Sequence, residues 1–201
     1  MAARLRLGVV GAGAVAQVAH LPMIARSDEF ELVAICDNDL QKARSLAVRF
    51  EIPDVFDDIE YLLKRSQPDA LAVCTPNHLH QVHVKTALAA GVHVLCERPL
   101  ALSVGGVEDI IAARERADRV VFVGMQSRFR SDVQAVKQFL DGGELGTLHA
   151  VRTGWYTFQP ARGVLGWRRR DARSRAFTHR SVVVDVGLAH AVSCVRFIRS
   201  C

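Results

Sequence analysis

The chain is poor in the features that mark several protein classes. Its five cysteines, Cys36, Cys74, Cys96, Cys194 and Cys201, form no Cys-x-x-Cys pair and no metal spacing, which argues against a zinc module. The first three close predicted strands, where cysteine behaves as a small buried apolar residue, and this points to a reducing, cytoplasmic setting. No uninterrupted apolar run approaches the length of a membrane span, so a soluble protein with no membrane partner is expected. The N-terminus runs straight into a strand without an apolar h-region and cleavage site, so no secretory leader is expected. There is no internal repeat and no low-complexity linker.

What is present is a chain of 201 residues, half of them hydrophobic, enough for one good-sized domain or one domain and part of another. The net charge of +5 is unevenly spread. Residues 1–150 hold 16 Lys+Arg against 19 Asp+Glu, and residues 151–201 hold 10 against 2. The basic end raises nucleic-acid binding as a reading. Its arginines are interspersed with apolar residues and match no known binding module, which argues against it.

The stretch Arg4 to His20 reads as a buried strand, a glycine turn and the start of a helix. Gly11 suits the sharp turn, Gly13 suits close approach of the backbone to a pyrophosphate, and Ala16 suits tight helix–strand packing. Ala14 and Val15 open the helix, whose free amides would face the diphosphate. A glycine turn also serves purely structural connections. A second strand, Glu31 to Asp37, ends in an acid 24 residues after Gly13, where such folds place the carboxylate that binds the adenosine ribose. Asp37 equally suits a helix-capping role ahead of the helix that contains Leu40, Ala43, Leu46 and Ala47. A carboxylate there would repel a 2′-phosphate, so NAD is preferred over NADP.

Farther along, the pattern predicts a short helix over Asp57 to Lys64 and a strand from Asp69 to Thr75, which stops at Pro76-Asn77. A helix over His78 to Ala90 is closed by Gly91. Its histidines, His78, His80 and His83, lack metal spacing, so no metal is expected. A strand from Val92 to Cys96 ends at Glu97-Arg98-Pro99-Leu100, a helix covers Val104 to Arg116, and a strand covers Val120 to Met125. Strand and helix alternating over about 125 residues imply an α/β domain with a doubly wound parallel sheet, residues 1–125. Residues 126–201 read as an incomplete second α+β domain, with a helix over Ser131 to Leu140 and a strand over Thr147 to Tyr156.

Four features in order, Gly11-Ala-Gly-Ala-Val-Ala16, Asp37, Thr75-Pro-Asn-His-Leu-His80 and Cys96-Glu-Arg-Pro-Leu-Ala101, resemble the Gfo/Idh/MocA family, named for glucose–fructose oxidoreductase, inositol dehydrogenase and rhizopine catabolism. The resemblance continues through Gly124-Met-Gln-Ser-Arg-Phe129, Gly143-Glu-Leu-Gly146 and Trp167-Arg168. It implies a Rossmann-like fold and an NAD(P)-dependent oxidoreductase acting on a sugar, cyclitol or related alcohol. It further implies cofactor contacts at Thr75, Pro76, Asn77, His80, Glu97, Arg98, Gln126, Trp167 and Arg168. In that family the Glu-Lys-Pro loop supplies a lysine near the substrate hydroxyl, and an Asp-x-Gly-x-His motif supplies a histidine that completes proton transfer.

The chain departs from the pattern at both catalytic positions. Arg98 stands at the lysine position, where it can stabilise an alkoxide but hardly act as a base; it could instead anchor Glu97 or the cofactor. The second motif reads Asp185-Val-Gly-Leu-Ala-His190, with His190 one residue late, a rotation of about 100 degrees on a helix. The catalytic candidates are therefore Arg98, Asp185 and His190, with His80, His190 or a water handling the proton. From Gln126 on, 76 residues remain for a second domain that in the family is a large sheet covering the active site and often mediating oligomerisation. An NAD-binding fragment with little or no turnover is the alternative. A half-built sheet near Val182, Val183 and Val184 would expose an unpaired edge and favour self-association.

Overall fold

The computed structural model describes residues 3–143 and 146–147, with the backbone of two short strands at 151–153 and 184–186. The chain divides into two units, Met1–Gly124 and Met125–Cys201.

Apolar residues on both faces of successive short strands require cover on both sides, and the first unit supplies it with helices. Strands β1 (Leu5–Val10), β2 (Phe30–Cys36), β3 (Asp54–Phe56), β4 (Ala70–Val73), β5 (His93–Cys96) and β6 (Val121–Val123) form one sheet in the order β3-β2-β1-β4-β5-β6. Every neighbouring pair is parallel. This is the doubly wound nucleotide-binding order, with its reversal between β1 and β4. Strand alternation divides the core. Leu7, Val9, Ile35 and Ala72 pack on one face, beside α1 (Leu21–Ile24) and α2 (Leu40–Phe50). Val10, Val33, Val73 and Cys96 pack on the other, with α3 (Ile59–Ser66), α4 (His80–Ala89) and α5 (Val104–Ala117). Leu21, Leu62, Leu71, Leu88 and Ile110 are fully buried, each worth about 2–5 kcal/mol against truncation to alanine.

Local chemistry sets the helix ends. Asp39, Asp58 and Ser103 cap α2, α3 and α5 by accepting from Lys42, from Glu60 and Tyr61, and from Gly106. Gly91 ends α4 at a φ of +75°, the role read from the sequence. The helix after the glycine turn is a π-helical segment, Ala16–His20, that runs into α1.

In the second unit a 3-10 turn, Gln126–Phe129, precedes α6 (Ser131–Asp141). Strands β7 (Val151–Thr153) and β8 (Val184–Val186) pair antiparallel, with Val184 opposite Thr153, whereas Val182 and Val183 lie outside the described residues. The change from parallel to antiparallel pairing matches the α+β character expected of this part. Among the described residues, no helix is long and apolar enough to cross a membrane.

Candidate functional site

The carboxyl ends of β1, β2, β4 and β5 share one edge of the sheet, and the loops leaving them carry most of the residues selected from sequence. Open parallel sheets bind ligands at this edge, beside the strand-order reversal.

Gly11 leaves β1 with a φ of +98°, and a Cβ there would lie 2.6 Å from the carbonyl carbon of Cys74 and 2.7 Å from the nitrogen of Thr75. The turn and the end of β4 are thus in backbone contact, which only glycine allows. At Gly13 a Cβ would meet only the Cys74 oxygen, at 3.9 Å. The protein's own packing does not require glycine there; the space beside it is open to another group. Ala12 and Ala16 are fully buried beneath the turn, whereas Ala14 and Val15 are partly exposed. The first amides of the following helix lack intrahelical acceptors.

Asp37, one residue beyond β2, is fastened to this turn. Its Oδ2 accepts from the Ala12 amide at 2.6 Å, and its Oδ1 accepts from the Asp39 amide at 2.9 Å. Lys42 Nζ lies 3.3 Å from the same Oδ1. The helix cap is Asp39, not Asp37, so the capping alternative for Asp37 does not hold.

Thr75 and Pro76 follow β4, and Asn77 opens the 3-10 turn Asn77–Leu79. The Thr75 hydroxyl is 3.1 Å from His83 Nδ1. Burial, with the charges of His80 and His78 next, lowers the His83 pKa below its ordinary value, so this ring tends to the neutral form. His80 lies beneath this edge rather than on it. It is fully buried, with Nδ1 2.6 Å from the Pro99 carbonyl and Nε2 2.8 Å from the Thr75 carbonyl. Both nitrogens lie against backbone carbonyls, so the ring bridges the Thr75 and Pro99 loops.

Glu97 and Arg98 follow β5. Glu97 Oε1 pairs with His20 Nε2 at 2.9 Å, and the Arg98 amide donates to Oε2 at 3.3 Å. The neighbouring Cys74 sulfur and the hydrogen bond that His20 donates to the Glu97 carboxylate raise the His20 pKa to about 10, and the same bond holds Glu97 below its ordinary value. The Arg98 side chain is exposed and makes no ion pair among the described residues. It therefore does not anchor Glu97 through its guanidinium; its backbone does. Sequence reading missed His20, because its partner lies 77 residues away. A histidine on the helix leaving a glycine turn was the available signal.

Gln126 belongs to the 3-10 turn of the second unit. Asp185 lies in strand β8, opposite Arg152, so the helical geometry assumed for its motif does not apply to it. Trp167, Arg168 and His190 lie outside the described residues. Among the described residues, no group of three or more His, Cys, Asp or Glu side chains is placed to hold a metal ion.

The chain has known relatives. The chain is 33% identical over 165 residues to the D-glucoside 3-dehydrogenase of Escherichia coli (strain K12), covering 81% of this chain and 46% of that protein. It is 28% identical over 148 residues to the myo-inositol 2-dehydrogenase of Thermotoga maritima, covering 74% and 44%. Its fold superposes on scyllo-inositol dehydrogenase from Lactobacillus casei, solved with NAD(H) and scyllo-inositol, with a TM-score of 0.69 at 23% identity over 73% of this chain and 44% of that one. The chain thus spans less than half the length of these relatives. Residues 5–125 match the family model described as the oxidoreductase family with an NAD-binding Rossmann fold, and the chain belongs to that Gfo/Idh/MocA family.

Proposed function

We propose that the first unit binds NAD along the carboxyl edge of β1, β2, β4 and β5. The chain would then be the cofactor half of an oxidoreductase whose substrate is a sugar, cyclitol or related alcohol. The observation that carries this reading is the pairing of Gly11 and Gly13. One is demanded by the protein's own backbone, whereas the other leaves room that the protein does not use. Gly13, Ala14 and Val15 would hold the diphosphate, and Asp37 would accept from the adenosine ribose. Its fixed carboxylate favours NAD over NADP, although Lys42 offsets part of its charge. Thr75, Pro76 and Asn77 would line the nicotinamide side, with Glu97 and Arg98 beyond them.

When bound, NAD supplies the hydride acceptor. Arg98 stabilises the substrate oxygen as charge develops on it, because guanidinium keeps its proton. His80 positions the two loops. The proton then passes to solvent or to a group of the second unit, for which Asp185 and His190 are the candidates, and Gln126, Trp167 and Arg168 would extend the cofactor contacts. Residues 1–125 form the cofactor domain in this reading, and the remainder contributes to substrate binding and self-association. The unpaired thiols of Cys36, Cys74 and Cys96 support a cytoplasmic setting.

A second reading is an NAD-binding module with little turnover, favoured by an arginine at position 98. Titration with NAD and NADH, followed by absorbance assays over polyols and sugars, separates the two. Binding with turnover supports the first, binding alone supports the second, and no binding overturns both.

A further inference from the structure

The loop Glu97-Arg98-Pro99 is tied down at both ends by histidines that come from different elements. Pro99 is held by His80, through the 2.6 Å contact from Nδ1 to its carbonyl. Glu97 is held by His20 at 2.9 Å, with both side chains only 17% exposed. A Cβ on Gly124 would lie 3.2–3.3 Å from the Glu97 carboxyl atoms, so the end of β6 closes tightly over that carboxylate. Between the two anchors the Arg98 side chain is exposed and in no ion pair among the described residues.

We propose that His20 is a positioning residue: by pairing with Glu97 it keeps the neighbouring Arg98 guanidinium from folding back onto that carboxylate, leaving the arginine turned out from the sheet edge. The substrate-side role this gives Arg98 rests on the function proposed above. A carboxylate mostly withdrawn from water and stripped of its cation carries a large desolvation penalty. The mobile cation nearest in sequence is Arg98, whose planar fork suits a carboxylate. A collapsed Glu97–Arg98 pair would satisfy both charges and remove the guanidinium from the site. His20 prevents this because its short side chain costs less entropy to hold than an arginine. The helix that follows the glycine turn thereby sets the state of a loop on the far side of β4.

Arginine labelling of the full chain with phenylglyoxal, read at Arg98 by peptide mass spectrometry, tests this without requiring turnover. In His20→Asn, Arg98 labelling is expected to slow about three-fold, the scale of a partly exposed ion pair. Adding Glu97→Gln to that variant should restore the native rate. A merely structural role for His20 gives no such recovery, since the double variant still lacks the strut. Unchanged labelling in a folded His20→Asn, or no recovery in the double variant, overturns the proposal. If His20→Asn does not fold, Glu97→Gln alone decides: labelling within two-fold of native supports the proposal, and a larger change overturns it. A parallel NADH titration keeps the two readings apart. Loss of NADH binding in the native chain removes the cofactor reading, while the labelling result still stands.

Discussion

Asp37 and Ala12 are joined by a 2.6 Å hydrogen bond from the glycine-turn amide to the carboxylate at the end of β2. The acid that would bind the ribose is therefore also the clamp that holds the turn. Asp37→Ala should weaken NAD binding by about ten-fold or more and lower stability by about 1–3 kcal/mol, since the Ala12 amide loses its acceptor. NADP binding should fall less, because removing the carboxylate also removes its repulsion of a 2′-phosphate. Calorimetric titration with both cofactors and a thermal melt measure the two effects separately. Equal loss for both cofactors would leave Asp37 with the clamp alone.

Gly11 and Gly13 should respond oppositely to alanine. At Gly11 the methyl would enter the Cys74 and Thr75 backbone at 2.6–2.7 Å, with φ at +98°, so Gly11→Ala should cost several kcal/mol and much of the folded yield. At Gly13 the nearest atom is 3.9 Å away, so Gly13→Ala should leave the melting temperature nearly unchanged while NADH affinity drops. A melt and an NADH fluorescence titration on both variants are sufficient. A Gly13→Ala protein that binds NADH normally would take the diphosphate away from this turn.

The His20–Glu97 pair gives stability a pH dependence of definite sign. His20 is raised from 6.5 to about 10, so its contribution is complete below 6.5 and lost as pH climbs toward 10. Glu97 is lowered, so its contribution is present above its ordinary 4.5 and lost as pH falls through its lower folded value. The pair therefore stabilises most between about 4.5 and 6.5 and fades on the alkaline side. Melting temperatures from pH 5 to 10 should decline more steeply in the native chain than in His20→Asn. Parallel curves would mean that the pair contributes nothing to folding.

His80 carries a stability prediction in place of a catalytic one. Replacing it by alanine removes two contacts to backbone carbonyls from a fully buried site and leaves a cavity, which should cost about 3–5 kcal/mol. Hydrogen exchange should then rise in both the Thr75–Asn77 and the Glu97–Pro99 loops. Faster exchange in only one of them would contradict the bridge.

Much of this edge was legible because its signals are local. The Gly11 turn, the acid at Asp37 and the proline-bearing loops each announce themselves within a few residues, and alternating apolar strands set the parallel sheet. Strand β3 was not resolved in the pattern, since Asp54-Val-Phe56 is too short to show a period and owes its strand form to pairing with β2. The left-handed helix ends at Glu51, Gln67 and Asp118 were equally silent, because no glycine marks them. His20 and His80 have sequence-distant or backbone partners, which no spacing rule records. Their roles emerge only once β4 and β5 stand side by side.

Arg98→Lys tests whether the rest of the site is assembled. The arginine side chain is exposed and in no ion pair among the described residues, and Glu97 is already satisfied by His20, so a lysine would enter a loop whose geometry does not depend on the guanidinium. An ammonium can give up its proton in a suitable environment, whereas guanidinium cannot, and a positioned acid–base group is worth about 10²–10⁴ in rate. If the missing lysine alone limits turnover, Arg98→Lys should raise the rate by at least about ten-fold on whichever polyol or sugar the native chain turns over best, with NADH affinity little changed. No gain at unchanged NADH affinity would move the deficit into the second unit, to Asp185 and His190. In that case the chain would act as a cofactor-binding module, because the edge that holds NAD would be complete without a partner to finish the proton transfer.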